Sequence, residues 1–118
     1  MKKYLIIFQQ APFSNSLSLE GLELSLALAA FNQDVSLLFS DTGILQLLNN
    51  TNGELINKKK FTKTFAGLDL FDIKQVYLDQ ASLEKYNINP DYLSIKPQVL
   101  SSVSINNLLQ QHDIVLTV

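Results

Sequence analysis

Asp41-Thr42-Gly43 is the part of this chain best placed to do chemistry. It sits between the apolar run Leu37-Leu38-Phe39 and the helical pattern Ile44-Leu45-Gln46-Leu47-Leu48. An apolar strand that runs through a short polar turn into a helix marks the carboxyl-end loop of a parallel α/β sheet, where such folds keep ligands and reactive groups. Asp-Thr-Gly also invites comparison with aspartic hydrolases, in which two aspartates share one proton. That chemistry needs a second carboxylate from a symmetric half, which only a dimer could supply here. The triplet leads into a helix, and the chain is not β-rich. A turn followed by an Asp-capped helix is therefore the primary reading, with a dimeric aspartic hydrolase using Asp41 as the alternative from a different class.

The other reactive side chains are sparse. His112 is the sole histidine, beside Asp113 at the end of the last helical pattern, where a cation suits the negative end of the helix dipole. One histidine cannot assemble a metal site. Asp69 and Asp72 flank Phe71 in a turn-like stretch and read as solvated. Gly21, Gly43, Gly53 and Gly67 form neither a dinucleotide fingerprint nor a phosphate loop, so no cofactor is expected. There is no cysteine, which excludes disulfides, thiolate metal sites and thiol nucleophiles in this chain. All nine basic residues are lysine. Without the planar guanidinium fork, bidentate reading of bases or phosphates is disfavoured, and Lys58-Lys59-Lys60 reads as a solvated face. Direct nucleic-acid binding is not expected.

With 118 residues the chain is long enough for one domain, expected over 1–118. Charged residues make up 17%, against roughly 25% in average soluble proteins, so something other than charge must cover part of the surface. A permanent partner subunit is the simplest cover. The amino-terminal Met1-Lys2-Lys3 followed by Tyr4-Leu5-Ile6-Ile7-Phe8 is too short for a signal peptide, and Gln9-Gln10 ends it. No apolar run reaches the length of a membrane span. The expectation is a soluble, cytoplasmic protein.

The elements that must position these residues follow from periodicity. Tyr4–Phe8 and Val35–Phe39 are continuous apolar runs, the pattern of strands buried on both faces. Ala11-Pro12-Phe13-Ser14-Asn15-Ser16 is a loop. A helix is expected from Ser18, as N-cap, to Phe31. It carries one apolar stripe, Leu22, Leu26 and Ala29, for the sheet, and a second, Leu24, Leu28 and Phe31, that needs cover from elsewhere. Gly43 is expected at positive φ, and Ile44–Leu48 begins a short helix. Asn49–Gly53 is a polar loop and Phe61–Leu70 a helix. A third strand spans Gln75–Leu78, and Ser82 caps a helix that stops before Asn89-Pro90. Tyr92–Val99 holds a weaker strand at an edge because of Pro97. Ser101 or Ser102 opens a last helix with Val103, Leu108 and Leu109 inward, and Ile114–Val118 closes as a strand. The alternation implies one open, mainly parallel sheet with helices on both faces, flavodoxin-like in outline.

The order of these pieces resembles the TusC (DsrF-like) family of sulfur-relay subunits within the DsrE/F/H group. The resemblance rests on Ala11-Pro12 after the first strand, Glu20-Gly21-Leu22-Glu23 opening the helix with Leu26-Ala27, and Phe39-Ser40-Asp41-Thr42-Gly43-Ile44-Leu45-Gln46-Leu47-Leu48. Leu70-Phe71-Asp72-Ile73, Ala81-Ser82-Leu83 and His112-Asp113-Ile114-Val115-Leu116 continue it in the same order. Leu19 departs from the family pattern where relatives carry an arginine, Phe13-Ser14 departs after the first proline, and Asp79 stands where some relatives have a cysteine. The resemblance implies a non-catalytic subunit of a TusBCD-type hetero-oligomer with TusB-like and TusD-like partners. Such a complex passes persulfide from a TusA-like to a TusE-like carrier for 2-thiolation of the tRNA wobble uridine, with the sulfur-carrying cysteine on the TusD-like subunit. A DsrF-like role in a DsrEFH complex of oxidative sulfur metabolism is the alternative within the family. The residue chemistry agrees, since persulfide transfer needs a thiolate that this chain lacks. Leu24, Leu28 and Phe31, with Asp41, Thr42, Gly43 and Ile44, are the expected partner contacts.

Overall fold

A computed structural model describes residues 2–10, 17–47, 73, 75–93 and 95–118. Five parallel strands form one sheet: β1 (Lys3–Phe8), β2 (Asp34–Phe39), β3 (Gln75–Asp79), β4 (Gln98–Leu100) and β5 (Ile114–Thr117), in the order β4-β3-β2-β1-β5. Among the described residues the α-helices are α1 (Leu17–Ala30), α2 (Gln80–Lys85) and α3 (Ser102–Gln110), and Asp41–Leu47 and Pro90–Tyr92 are 3-10 helices. The chain steps outward from β1 to β4 and then returns past β1 to add β5. This is the doubly wound plan, with its reversal between β1 and β5. Right-handed crossovers place helices on one face while the chain steps one way and on the other face when it reverses.

Packing follows that rule. On one face Ile6, Phe8, Leu37, Phe39 and Leu78 pack with Leu22 and Ala29 of α1, Ile44 and Leu47 of the 3-10 helix and Leu83 of α2. On the other, Leu5, Ile7, Leu38 and Leu100 pack with Leu108 of α3. β1 and β2 supply both clusters through alternate residues, which is why their sequences read as unbroken apolar runs.

Helix ends explain several differences from the expected boundaries. α1 begins at Leu17, so Ser18 lies within its first turn and is not its cap. It ends with Asn32 at φ 62, where the Gln33 N–H donates to the Leu28 carbonyl at 3.1 Å, a left-handed cap that asparagine tolerates. α2 repeats the device, with Asn87 at φ 52 and the Ile88 N–H on the Leu83 carbonyl. Its N-cap is Asp79, whose carboxylate accepts from the Ala81 N–H, while Ser82 is buried inside the helix. Ser101 caps α3 through the Ser104 N–H. Val103, expected inward, is 71% exposed because it follows the cap on the outer side of the first turn. The fourth strand is confined to Gln98–Leu100 and forms one sheet edge after Pro97. The loops Ala11–Ser16 and Asn49–Gly53, the helix Phe61–Leu70, Lys58-Lys59-Lys60 and the Asp69/Asp72 turn lie outside the described residues.

The glycine at 43 is required for a reason other than the expected one. None of the described glycines has positive φ; the left-handed residue in the turn is Asp41, at φ 50. Gly43 instead lies against the end of β1, where a Cβ would sit 1.9 Å from the Phe8 carbonyl oxygen. A Cβ at Gly21 would meet the Val118 Cγ2 at 2.6 Å, with the Val118 Cβ and the Phe8 ring at 3.2 Å, all of them side-chain atoms and not backbone. Gly43→Ala is therefore expected to lose about 1–3 kcal/mol or more in chemical denaturation, as overpacking against backbone does. Gly21→Ala is expected to lose clearly less; equal losses would show that the approach at Gly43 relaxes easily.

Candidate functional site

The candidate site is the carboxyl edge of the sheet, where the 3-10 helix after β2 ties together the ends of β1 and β3. Towards β1, the Ser40 N–H donates to the Phe8 carbonyl at 3.0 Å, and the Thr42 hydroxyl donates to the Gln9 carbonyl at 3.0 Å. The buried Gln46 donates its amide N–H to the Gln10 carbonyl at 3.0 Å. Below these bonds the rings of Phe8 and Phe39 stack with centroids 4.9 Å apart. Towards β3, the Asp41 N–H donates to the Ser82 hydroxyl oxygen at 2.7 Å, and that hydroxyl donates to Asp79 at 3.1 Å. Asp79 thus caps α2 and orients the serine that holds the loop.

The Asp41 side chain completes the clamp. The Tyr86 hydroxyl donates to one Asp41 oxygen at 2.6 Å, and the Lys85 ammonium reaches the same oxygen at 3.4 Å. The ammonium also lies 5.2 Å from the centre of the Tyr86 ring. The hydrogen bond from Tyr86, aided by the Lys85 charge, holds the Asp41 carboxyl below its ordinary value of 3.8. The same bond raises the Tyr86 hydroxyl, and the Tyr86 oxygen together with the Asp41 charge raises Lys85. Asp41 is thus an ionised anchor with its own partners. An aspartic dyad works differently, keeping one carboxyl protonated at the expense of the other.

The seven residues singled out from sequence separate in space. Leu24 is 39% exposed on α1, which ends at Ala30 and not at Phe31, and Phe31 is 78% exposed in the turn after it, while Leu28 is half-buried and packs against the core. Asp41 is exposed, Thr42 intermediate, and Gly43 and Ile44 are buried within this chain. Phe31 follows the carboxyl end of α1, next to the start of β2, whereas Asp41 lies beyond the end of β2. The two groups therefore occupy opposite ends of the sheet, separated by about the length of α1. Lys85 and Tyr86, the clamp's side-chain partners, escaped sequence reading because they lie 44 and 45 residues from Asp41 with no local pattern linking them. The Asp79 to Ser82 spacing, a capping pattern, was the one available signal.

His112 bonds through Nδ1 to the Leu108 carbonyl at 2.8 Å, at the end of α3. Among the described residues no group of three or more His, Cys, Asp or Glu side chains could hold a metal ion, and no helix is long and apolar enough to cross a membrane.

The clamp's pH dependence follows from its shifts. A lowered carboxyl contributes stability above its ordinary value and loses it as pH falls through the lowered one. Raised lysine and tyrosine groups contribute below their ordinary values and lose it as pH rises through the raised ones. The Tyr86 ring resonances are expected to stay constant from about pH 5 to about pH 9, changing only in stronger acid or base. A midpoint near neutrality would show that the Asp41 carboxyl is not held below its ordinary value.

Comparison with known proteins fits this architecture. A family model described as the DsrE/DsrF-like family matches residues 2–118. The chain is 34% identical over 113 residues to the "Protein TusC homolog" of Aliivibrio fischeri, covering 96% of each chain. It is 38% identical over 89 residues to the "Protein TusC homolog" of Haemophilus influenzae, covering 74% of this chain and 75% of the relative. It is also 34% identical over 93 residues to the "Intracellular sulfur oxidation protein DsrF" of Allochromatium vinosum, covering 79% and 68%. The crystal structure of the ychN protein from E. coli matches the whole of both chains with a TM-score of 0.80 at 21% identity, which establishes the shared fold. With a family match across the whole sheet and relatives above 30% identity over most of their length, this chain belongs to the DsrE/DsrF-like family.

Proposed function

We propose that this chain is a non-catalytic subunit of a TusBCD-type sulfur-relay complex, supporting persulfide transfer for 2-thiolation of the tRNA wobble uridine. The observation that carries this is a match to two TusC homologs in a chain with no cysteine at all. Persulfide transfer passes sulfane sulfur between thiolates, so a chain without a thiol can only position and cover a companion's cysteine. TusB-like and TusD-like subunits are the proposed companions, with TusA-like and TusE-like carriers as indirect partners and the cytoplasm as the site of action. No cofactor or direct nucleic-acid contact is part of this reading.

The clamp supports a scaffolding role. Its anion is neutralised within the chain, and its hydrogen bonds fix backbone instead of presenting an open reactive group. The proposed companion contact runs along α1 through Leu24 and Phe31, with Asp41 and Thr42 at the far end of the sheet. Gly43 and Ile44 support that surface from within. The likeness to the DsrF protein favours a second reading, a subunit of a DsrEFH complex in oxidative sulfur metabolism.

Two outcomes test these readings. Deleting the gene in its host is expected to abolish 2-thiouridine in wobble-position tRNA, read by nucleoside mass spectrometry. Intact thiolation with defective oxidation of stored sulfur would favour the DsrF reading, and no sulfur phenotype would overturn both. Phe31→Asp is expected to cut recovery of the subunit with its co-expressed companions at least tenfold while leaving its melting temperature unchanged. Phe31 is a cleaner probe than Leu28, whose partial burial couples it to folding. Normal incorporation of the variant would remove α1 from the interface.

A further inference from the structure

Asp41 takes left-handed backbone, φ 50, at an exposed point of the proposed companion contact. A residue other than glycine keeps that conformation only where its surroundings over-determine it. Both polar ends of Asp41 are held, and both are held by α2. Ser82 accepts from its main-chain N–H at 2.7 Å, while Tyr86 and Lys85 reach its carboxylate at 2.6 and 3.4 Å. Positions 82, 85 and 86 are spaced i, i+3 and i+4, so one face of the helix and its cap meets Asp41 three times.

The three contacts differ in weight. Lys85 and Asp41 have side chains 65% and 55% exposed, and an ion pair in that setting contributes little. The serine link is of another kind. A main-chain N–H can only donate and a carboxylate can only accept, so the Ser82 hydroxyl between Asp41 and Asp79 has its direction fixed from both sides. Ser82 is 5% exposed, and losing either bond would leave its hydroxyl unsatisfied in the interior. Asp79 is itself held in place. It ends β3, and its other oxygen accepts from the Ala81 N–H at 3.1 Å as the N-cap of α2.

We propose that Asp79 is a positioning residue for the companion contact: acting through the Ser82 hydroxyl, it sets the backbone of Asp41 and so the surface that Asp41 and Thr42 present. Asp79 does this without touching a companion. Thr42 follows Asp41 because its own hydroxyl is fixed on the Gln9 carbonyl at 3.0 Å, which pins the turn to β1 on one side while Ser82 pins it to α2 on the other. The placement of the turn is thereby referred to the end of β3, inside the sheet, and not to the exposed ion pair. This role rests on the proposed companion contact at Asp41 and Thr42, whereas the relay from Asp79 to Asp41 can be measured in the isolated chain.

Asp79→Asn separates direction from shape. It keeps the size of the side chain and the acceptor for Ala81, but turns an amide N–H toward a serine oxygen that already accepts from Asp41. In hydrogen exchange of the full chain, the Asp41 N–H is expected to exchange about fivefold faster or more in this variant, the equivalent of one hydrogen bond. The Leu5 and Ile6 amides of the core are expected to keep their rates, which a general loss of stability would not allow. Ser82→Ala is expected to speed Asp41 exchange at least as much, and adding Asp79→Asn to it to change nothing further, because both break one relay. Ser82→Ala also carries the test if Asp79→Asn does not fold. Co-expressed with companions, Asp79→Asn is expected to lower recovery of the subunit by a similar factor, with Phe31→Asp as the check on the companion reading. Unchanged Asp41 exchange in either single variant, or additive effects in the double, would overturn the relay. Faster exchange with normal recovery, while Phe31→Asp is lost from the complex, would overturn the positioning role alone. Normal recovery of both variants would overturn the companion contact and this role with it.

Discussion

The close approach of Gly43 to the Phe8 carbonyl is the constraint on which the rest of this carboxyl edge depends. With no Cβ at that point, the 3-10 helix after β2 can settle directly onto the end of β1. Ser40, Thr42 and Gln46 then reach the carbonyls of Phe8, Gln9 and Gln10. The stacked Phe8 and Phe39 rings fill the space beneath, where a cleft would otherwise open between neighbouring strands. Asp41 accommodates the same geometry from the other side by taking left-handed backbone, which aspartate adopts at modest cost. Its N–H is thereby turned to Ser82 and its carboxylate to Tyr86. A loop position that in many α/β proteins frames a ligand is here spent on joining β1, β2 and β3.

The winding order carries consequences beyond packing. Because the chain reverses between β1 and β5, α3 covers the opposite face from α1 and α2, and the last strand is left at an edge. Among the described residues β5 pairs with β1 alone. It is also the edge without proline or lysine. Among the described residues the exposed large apolar side chains are Leu19 and Leu24 of α1, Phe31 just beyond it, Val99 of β4, Val103 of α3 and Val115 of β5.

Much of the fold was legible because buried parallel strands and an amphipathic helix leave local patterns. β1 and β2 are apolar on both faces, and the stripe Leu22, Leu26 and Ala29 of α1 meets the sheet as its spacing implies. Misreadings arose where tertiary contact overrode local preference. Gly43 was read through its backbone freedom, whereas its missing Cβ is what matters. Ser82 looks like a helix cap, yet Asp79 takes that role and Ser82 is drawn inward to serve Asp41. Val103 fits an inward spacing, but it is 71% exposed on the first turn of α3, just after the Ser101 cap. The clamp itself was not readable, since Tyr86 and Asp41 meet only after β3 has joined β2.

A chain without a thiol can serve a sulfur relay only through shape, and shape demands rigidity at the end of the sheet where reactive groups of this fold class gather. At that end the clamp's groups keep their ordinary neutral-pH charges, with the Asp41 carboxyl lowered by its Tyr86 hydrogen bond and Lys85 and Tyr86 raised in return. A histidine or a cysteine in those places would titrate near neutrality or compete for sulfur. Asp79 illustrates the exchange. Its carboxylate accepts from the Ala81 N–H and the Ser82 hydroxyl and gains no nucleophilic function, so the strand end that could hold a reactive group becomes the anchor of the loop.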